Sequence, residues 1–151
     1  MKPSGFALTA ALALVLVALT ATLATAQTMV RPATVESGHT SLGRVLVNRS
    51  GRTLYLFEKD KRGQSACSGA CTAYWPPLLV KGKPHATKGA KQSLVGTIKR
   101  ADGTRQVTYA GHPLYRFSGD LKRGDTTGEG LTDFGGSWDA VAPSGKKIER
   151  D

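Results

Sequence analysis

The chain has 151 residues, 21 basic side chains against 11 acidic ones and a formal charge of +10. That length allows one small core, or two halves sharing one, and no more. The basic residues are scattered, among them Lys81, Lys83, Lys88, Lys99, Arg100, Lys122 and Lys146, and no run is long enough for a targeting or nucleic-acid tail.

In chain order, Lys2 precedes an uncharged apolar run over residues 6–24, closed by Ala24-Thr25-Ala26. These are the three parts of a secretory signal peptide, residues 1–26, with cleavage expected before Gln27. A retained membrane anchor is the competing reading. The run is just long enough to span a bilayer, but it is rich in Ala and Thr and lacks a basic stop-transfer flank. Removal leaves 125 residues with 20 basic and 11 acidic side chains, a charge of +9. Such a protein is exported, to the periplasm, the cell envelope or the medium. There its charge predicts weak association with anionic envelope surfaces and no nucleic-acid partner. Residues 27–41 are polar and read as a mobile lead-in.

Residues 42–80 form the first of two expected repeats. "LGRVLVNRSGRTLYLF" places a turn at Asn48–Gly51 between two apolar runs, the signature of a β-hairpin. Cys67 and Cys71 follow in "CSGAC". Two thiols this close in an exported chain predict a disulfide. So short a loop stabilises by only about 2 kcal/mol, which points to fixing a local shape. The alternative is a redox-active pair in a thiol–disulfide or electron-transfer component. Against it, the Cys-x-x-Cys spacing and a neighbouring His are absent. A short helix is expected over Ala66–Tyr74, stopped by Pro76-Pro77. Residues 81–94 read as a surface linker. The second repeat, 95–142, predicts strands near 95–99, 104–109 and 113–118, with a turn at Asp102-Gly103. Residues 143–151 are a tail. With 18 glycines, seven prolines and no sustained helical period, the expectation is a mostly β single domain of two pseudo-repeats with long loops.

The repeat is visible at an offset of sixty. Tyr55, Phe57 and Asp60 return as Tyr115, Phe117 and Asp120, and Trp75 has its counterpart in Trp138. Alternation puts each Tyr and Phe on one strand face, the better core candidate, and each Asp where the strand ends in a turn. Arg116 opposite Leu56 predicts that the other face is partly exposed in the second copy. The eight motif residues are therefore read as a strand-and-turn unit packing in a shared core. The competing reading is a ligand site at the junction of the halves, where paired carboxylates could do acid–base work or bind a hard cation. No catalytic set, cofactor motif or metal-ligand spacing stands out. His39, His85 and His112 are isolated.

The runs "GRTLYLFEKDKRGQSACSGACTAYWPPLLV" and "GHPLYRFSGDLKRGDTTGEG…W" resemble the bacterial "secreted repeat of unknown function" family over about residues 43–142. Its members are described as predicted lipoproteins with a Tyr-x-aromatic-x-x-Asp motif. The resemblance implies export and a repeat fold, and no established activity. This chain departs from many relatives in carrying Gln27, not a lipid-accepting Cys, after the leader. The expectation is an exported binding or structural module, more readily a binder than an enzyme. If a special site exists, the stapled "CSGACTAYWPP" loop is a better place for it than the motif itself.

Overall fold

A computed structural model describes Met1 and residues 32–149. The expected signal peptide therefore lies, apart from Met1, outside the described residues. The fold is mostly β, with three small sheets and one short helix. In the first sheet β1 (Thr34–Thr40) lies between β2 (Gly43–Asn48), its antiparallel hairpin partner, and β4 (His85–Thr87), which runs parallel to it. In the second, β9 (Gly136–Ala140) lies between β3 (Tyr55–Phe57) and β8 (Leu131–Asp133). The third is a meander of β5 (Val95–Lys99), β6 (Arg105–Tyr109) and β7 (His112–Pro113). Helix α1 (Ala70–Tyr74) carries Cys71, and among the described residues no helix is long and apolar enough to cross a membrane.

Two expectations are corrected here. The lead-in expected over 27–41 is, from Thr34 onward, the strand β1, with Val35 fully buried. The surface linker expected over 81–94 contains β4 and a 3-10 turn at Gln92–Leu94. The same contact explains both. The half-polar β1 uses its free edge to pair with β4, and Glu36 on β1 holds Lys88 beyond β4 at 2.8 Å.

The turns form where the side chains dictate. Asn48 Oδ1 accepts the N–H groups of Ser50 and Arg52, and Gly51 takes the positive φ (79°) that closes the loop. The second hairpin turn is held in the same way, with Asp102 Oδ1 accepting from the N–H and hydroxyl of Thr104. Cys67 and Cys71 are joined by a disulfide, with Cα atoms 5.4 Å apart. Gly69, between them, adopts φ 56°.

The two copies do not stand side by side; each closes the other. β3 of the first copy pairs with β9, the Trp138 strand of the second. In mirror fashion, Arg116 N–H donates to Pro76 O and Ser118 N–H to Tyr74 O, so the second copy's motif strand pairs with the Trp75 segment of the first. Between them Tyr55 and Tyr115 exchange both backbone hydrogen bonds, at 2.9 and 3.0 Å. A pseudo-twofold axis therefore passes between these two residues. The bonds continue symmetrically outward. Val141 N–H donates to Leu54 O and Leu78 N–H to Leu114 O, while Leu46 N–H donates to Val141 O and Val107 N–H to Leu78 O.

The strand expected over 113–118 is regular only through Pro113; Tyr115 makes isolated bridges to Tyr55 and Pro77. Its partner segment explains why. Pro76 and Pro77 stand where the first copy's strand meets Asp139 and Ala140, and a proline has no N–H to give a ladder.

Both faces of the motif strands are buried. Tyr55, Phe57 and Tyr115 enter an aromatic cluster with Trp75, Trp138 and the two cysteines. Leu54, Leu56 and Leu114 enter an aliphatic cluster with Val35, Val107 and Val141. The exposure expected opposite the Tyr face of the second copy is confined to Arg116, since Leu114 is fully buried.

Candidate functional site

The eight motif residues converge on the pseudo-twofold axis, and their contacts cross between copies. Tyr55 Oη donates to Asp120 Oδ2 at 2.7 Å, and Tyr115 Oη donates to Asp60 Oδ2 at 2.8 Å. Each carboxylate also closes its own turn. Asp60 Oδ1 accepts the Ala66 N–H at 2.6 Å. Asp120 Oδ1 accepts the N–H and the hydroxyl of Thr127, at 2.9 and 2.7 Å. The reach is six residues in the first copy and seven in the second, where Leu121 stands between Asp120 and Lys122-Arg123-Gly124 while Lys61-Arg62-Gly63 follows Asp60 directly.

The rings follow the same symmetry. Trp75 and Trp138 stack on each other at 4.0 Å and 5°. Phe57 stacks on Trp138, and Phe117 lies over Trp75 tilted by 33°, again across copies. Each Tyr meets the Trp of its own copy edge-on. The result is a row of four rings, Phe57–Trp138–Trp75–Phe117, the first three stacked, with a tyrosine against each indole. Offset and edge-to-face contacts of this kind add to the area buried. Both indole N–H groups end on Asp133, Trp75 on its carboxylate and Trp138 on its carbonyl.

This constellation is closed chemically as well as sterically. Burial, and then the facing carboxylate, push the Tyr55 phenol well above its ordinary range. Burial and Asp60 do the same to Tyr115. Neither phenol is suited to giving up a proton near neutrality. Asp60 differs. Burial lifts its carboxyl to about 6, while the bonds from Ala66 and Tyr115 and the nearby Arg100 charge oppose the rise. We expect the Asp60 carboxyl carbon to titrate in NMR with a midpoint near 6, and that of exposed Asp102, lowered by its Thr104 bonds, below the usual carboxylate range. An Asp60 midpoint near 4 would show that the carboxyl is solvated.

The first copy's network does not end at Tyr115. Ser65 Oγ lies 2.7 Å from Tyr115 Oη, and Arg100 Nη1 donates to Ser65 Oγ at 3.0 Å and to Gln106 Oε1 at 2.6 Å. Arg100 Nη2 donates to the Cys67 carbonyl at 2.6 Å. The guanidinium thereby ties the Cys-stapled loop to the second hairpin. It lies against a cleft of about 490 Å³ lined by Ser65, Ser68, Thr72, Lys99, Arg100 and Asp102. Both cysteines are buried. Neither Arg100 nor Ser65 stood out in the sequence: Arg100 is one of many scattered basic residues, and no local period marks a cation that a distant loop will bury.

A second, larger groove of about 740 Å³ lies on the hairpin face. Leu78, Leu79 and Val80 line it together with Arg49, Lys81 and Arg105, and Leu79 is exposed. Among the described residues no cluster of three metal-ligating side chains occurs.

A family model described as a secreted repeat of unknown function matches residues 37–79 and 96–142. The two matched segments contain one motif copy each. No curated protein and no solved structure matches the chain.

Proposed function

Because the chain belongs to the family of secreted repeats of unknown function, we propose that it works outside the cytoplasm as a binding module for anionic envelope surfaces, on a scaffold built by the duplicated motif. The observation that carries this reading is the groove on the hairpin face. Its apolar residues, Leu78, Leu79 and Val80, are accompanied by three cationic ones, Arg49, Lys81 and Arg105. Apolar side chains beside long basic ones suit the boundary between lipid headgroups and acyl chains. The overall excess of positive charge draws the protein toward such a surface. The motif itself supports a scaffold role, since both tyrosine hydroxyls and both aspartates are hydrogen-bonded within the fold. The near-complete burial of the Cys67–Cys71 pair supports a structural staple.

Co-sedimentation of the chain from Gln27 onward with phospholipid vesicles tests the reading. Binding is expected to vesicles rich in phosphatidylglycerol and not to pure phosphatidylcholine. It is expected to fall steeply as salt is raised, because exposed charges are screened within about 8–10 Å at physiological ionic strength. Reversing Arg49 and Lys81 to Glu is expected to abolish it, at roughly 1 kcal/mol for each cation removed. Equal binding to neutral vesicles, or binding indifferent to salt, would overturn the proposal.

A further inference from the structure

Beyond surface adsorption, we infer that the cleft beside the Cys staple is a binding site for a small monoanionic carboxylate, with Arg100 as its anchor. Three observations converge on it. First, Arg100 is about nine-tenths buried, with 9% of its surface exposed. Among the described residues no carboxylate lies within ion-pair distance of it. A buried charge with no carboxylate in direct contact is costly, and folds rarely keep one idle. Second, its hydrogen bonding is incomplete. A guanidinium has five N–H bonds. Those given to Ser65, Gln106 and Cys67 account for three, which leaves one N–H of Nη2 for a ligand; Nε also has no acceptor among the described residues, but it is sealed from solvent. Third, the cation lines a cleft and not the closed core, with Lys99 exposed on the same wall.

The surroundings narrow the ligand. Ser65, Ser68 and Thr72 bring hydroxyls, while exposed Asp102 brings one negative charge to the same cleft. Asp60, whose carboxyl is bonded to Tyr115, adds a second acidic group at longer range from Arg100. Two cations facing nearby carboxylates favour a ligand with a single negative charge over a phosphate dianion. A planar carboxylate also matches guanidinium geometry. Asp102 favours a hydroxyl or ammonium group next to that carboxylate. The second copy offers no equivalent, because it has no staple at the matching loop. This asymmetry is what a ligand site, unlike a shared scaffold element, does not need to repeat.

Thermal shifts of the chain from Gln27 onward, at matched ionic strength, test this with acetate, lactate, glycine, inorganic phosphate and chloride. A bound ligand raises the melting temperature with its concentration. Lactate or glycine is expected to exceed acetate, and all three to exceed phosphate and chloride. Arg100→Gln is expected to weaken carboxylate binding about tenfold or more, and Lys99→Gln to weaken it a few-fold. Asp102→Asn is expected to strengthen acetate and remove the advantage of glycine. Equal shifts from all five anions, or phosphate ahead of the carboxylates, would overturn the inference. So would unchanged affinity in Arg100→Gln; if that variant fails to fold, unchanged affinity in both Lys99→Gln and Asp102→Asn decides against it. Vesicle binding should survive Arg100→Gln, so loss of the cleft and loss of the surface reading give separate results.

Discussion

Replacing Trp138 with Ala is expected to cost about 5 kcal/mol of stability and to leave the protein largely unfolded at 37 °C. Trp138 is fully buried and stacks between Phe57 and Trp75, with Tyr115 edge-on. Truncating a buried Trp to Ala costs about 3–5 kcal/mol through lost transfer energy and the cavity left behind. Each aromatic contact adds roughly 0.5–1.5 kcal/mol. A domain of this size has only about 5–15 kcal/mol in total. Trp75→Ala should cost nearly as much, because the pseudo-twofold axis gives it the matching set of neighbours. Tyr74→Ala, one residue earlier but 58% exposed, should move stability by less than about 0.5 kcal/mol. Urea denaturation followed by far-ultraviolet circular dichroism separates these outcomes. A loss below about 1 kcal/mol at Trp138 would mean that the ring stack does not hold the halves together.

The fold class, the two repeats and the disulfide were legible because each rests on local chemistry. An Asn or Asp followed by Gly makes a turn wherever it stands, and two thiols four residues apart can reach each other within one helical turn. The strand β1 escaped because Val35 is its one strongly apolar residue among Thr34, Glu36, Ser37, Gly38, His39 and Thr40. Its stability comes from pairing with β2 and β4, and pairing leaves no periodic mark on so polar a segment. The crossing of the copies was illegible for a different reason. Identical motifs make identical local demands, so the sequence says that a Tyr and an Asp will be satisfied but not by which copy. The arrangement is decided by topology: the Tyr55–Tyr115 backbone pair leaves each hydroxyl facing the other copy's turn. The chemistry beside the stapled loop was not legible, because Arg100 comes from a hairpin 33 residues beyond Cys67.

Asp120→Ala is the second large expected effect, at about 3 kcal/mol. Asp120 is 1% exposed. Its loss strands the buried Tyr55 hydroxyl proton, although the Gly128 N–H still donates to that oxygen, and a buried donor left unpaired costs about 1–3 kcal/mol; the exposed Thr127 loses its acceptor as well. Asp60→Ala should cost less, about 1–2 kcal/mol. Tyr115 retains Ser65 as a partner, and Asp60 is less deeply buried than Asp120.

The claim beneath both predictions is that each repeat is completed by the other. A double-mutant cycle between Tyr55→Phe and Asp120→Ala, measured by urea unfolding, tests it most directly. Residues that share a buried hydrogen bond couple, whereas residues with no shared partner add within about 0.5 kcal/mol. The crossed pair is expected to couple by about 1.5–3 kcal/mol, the range for a hydrogen bond to a charged group. The same-copy pair, Tyr55→Phe with Asp60→Ala, is expected to be additive. Coupling within each copy and additivity across them would contradict the exchange of motif partners.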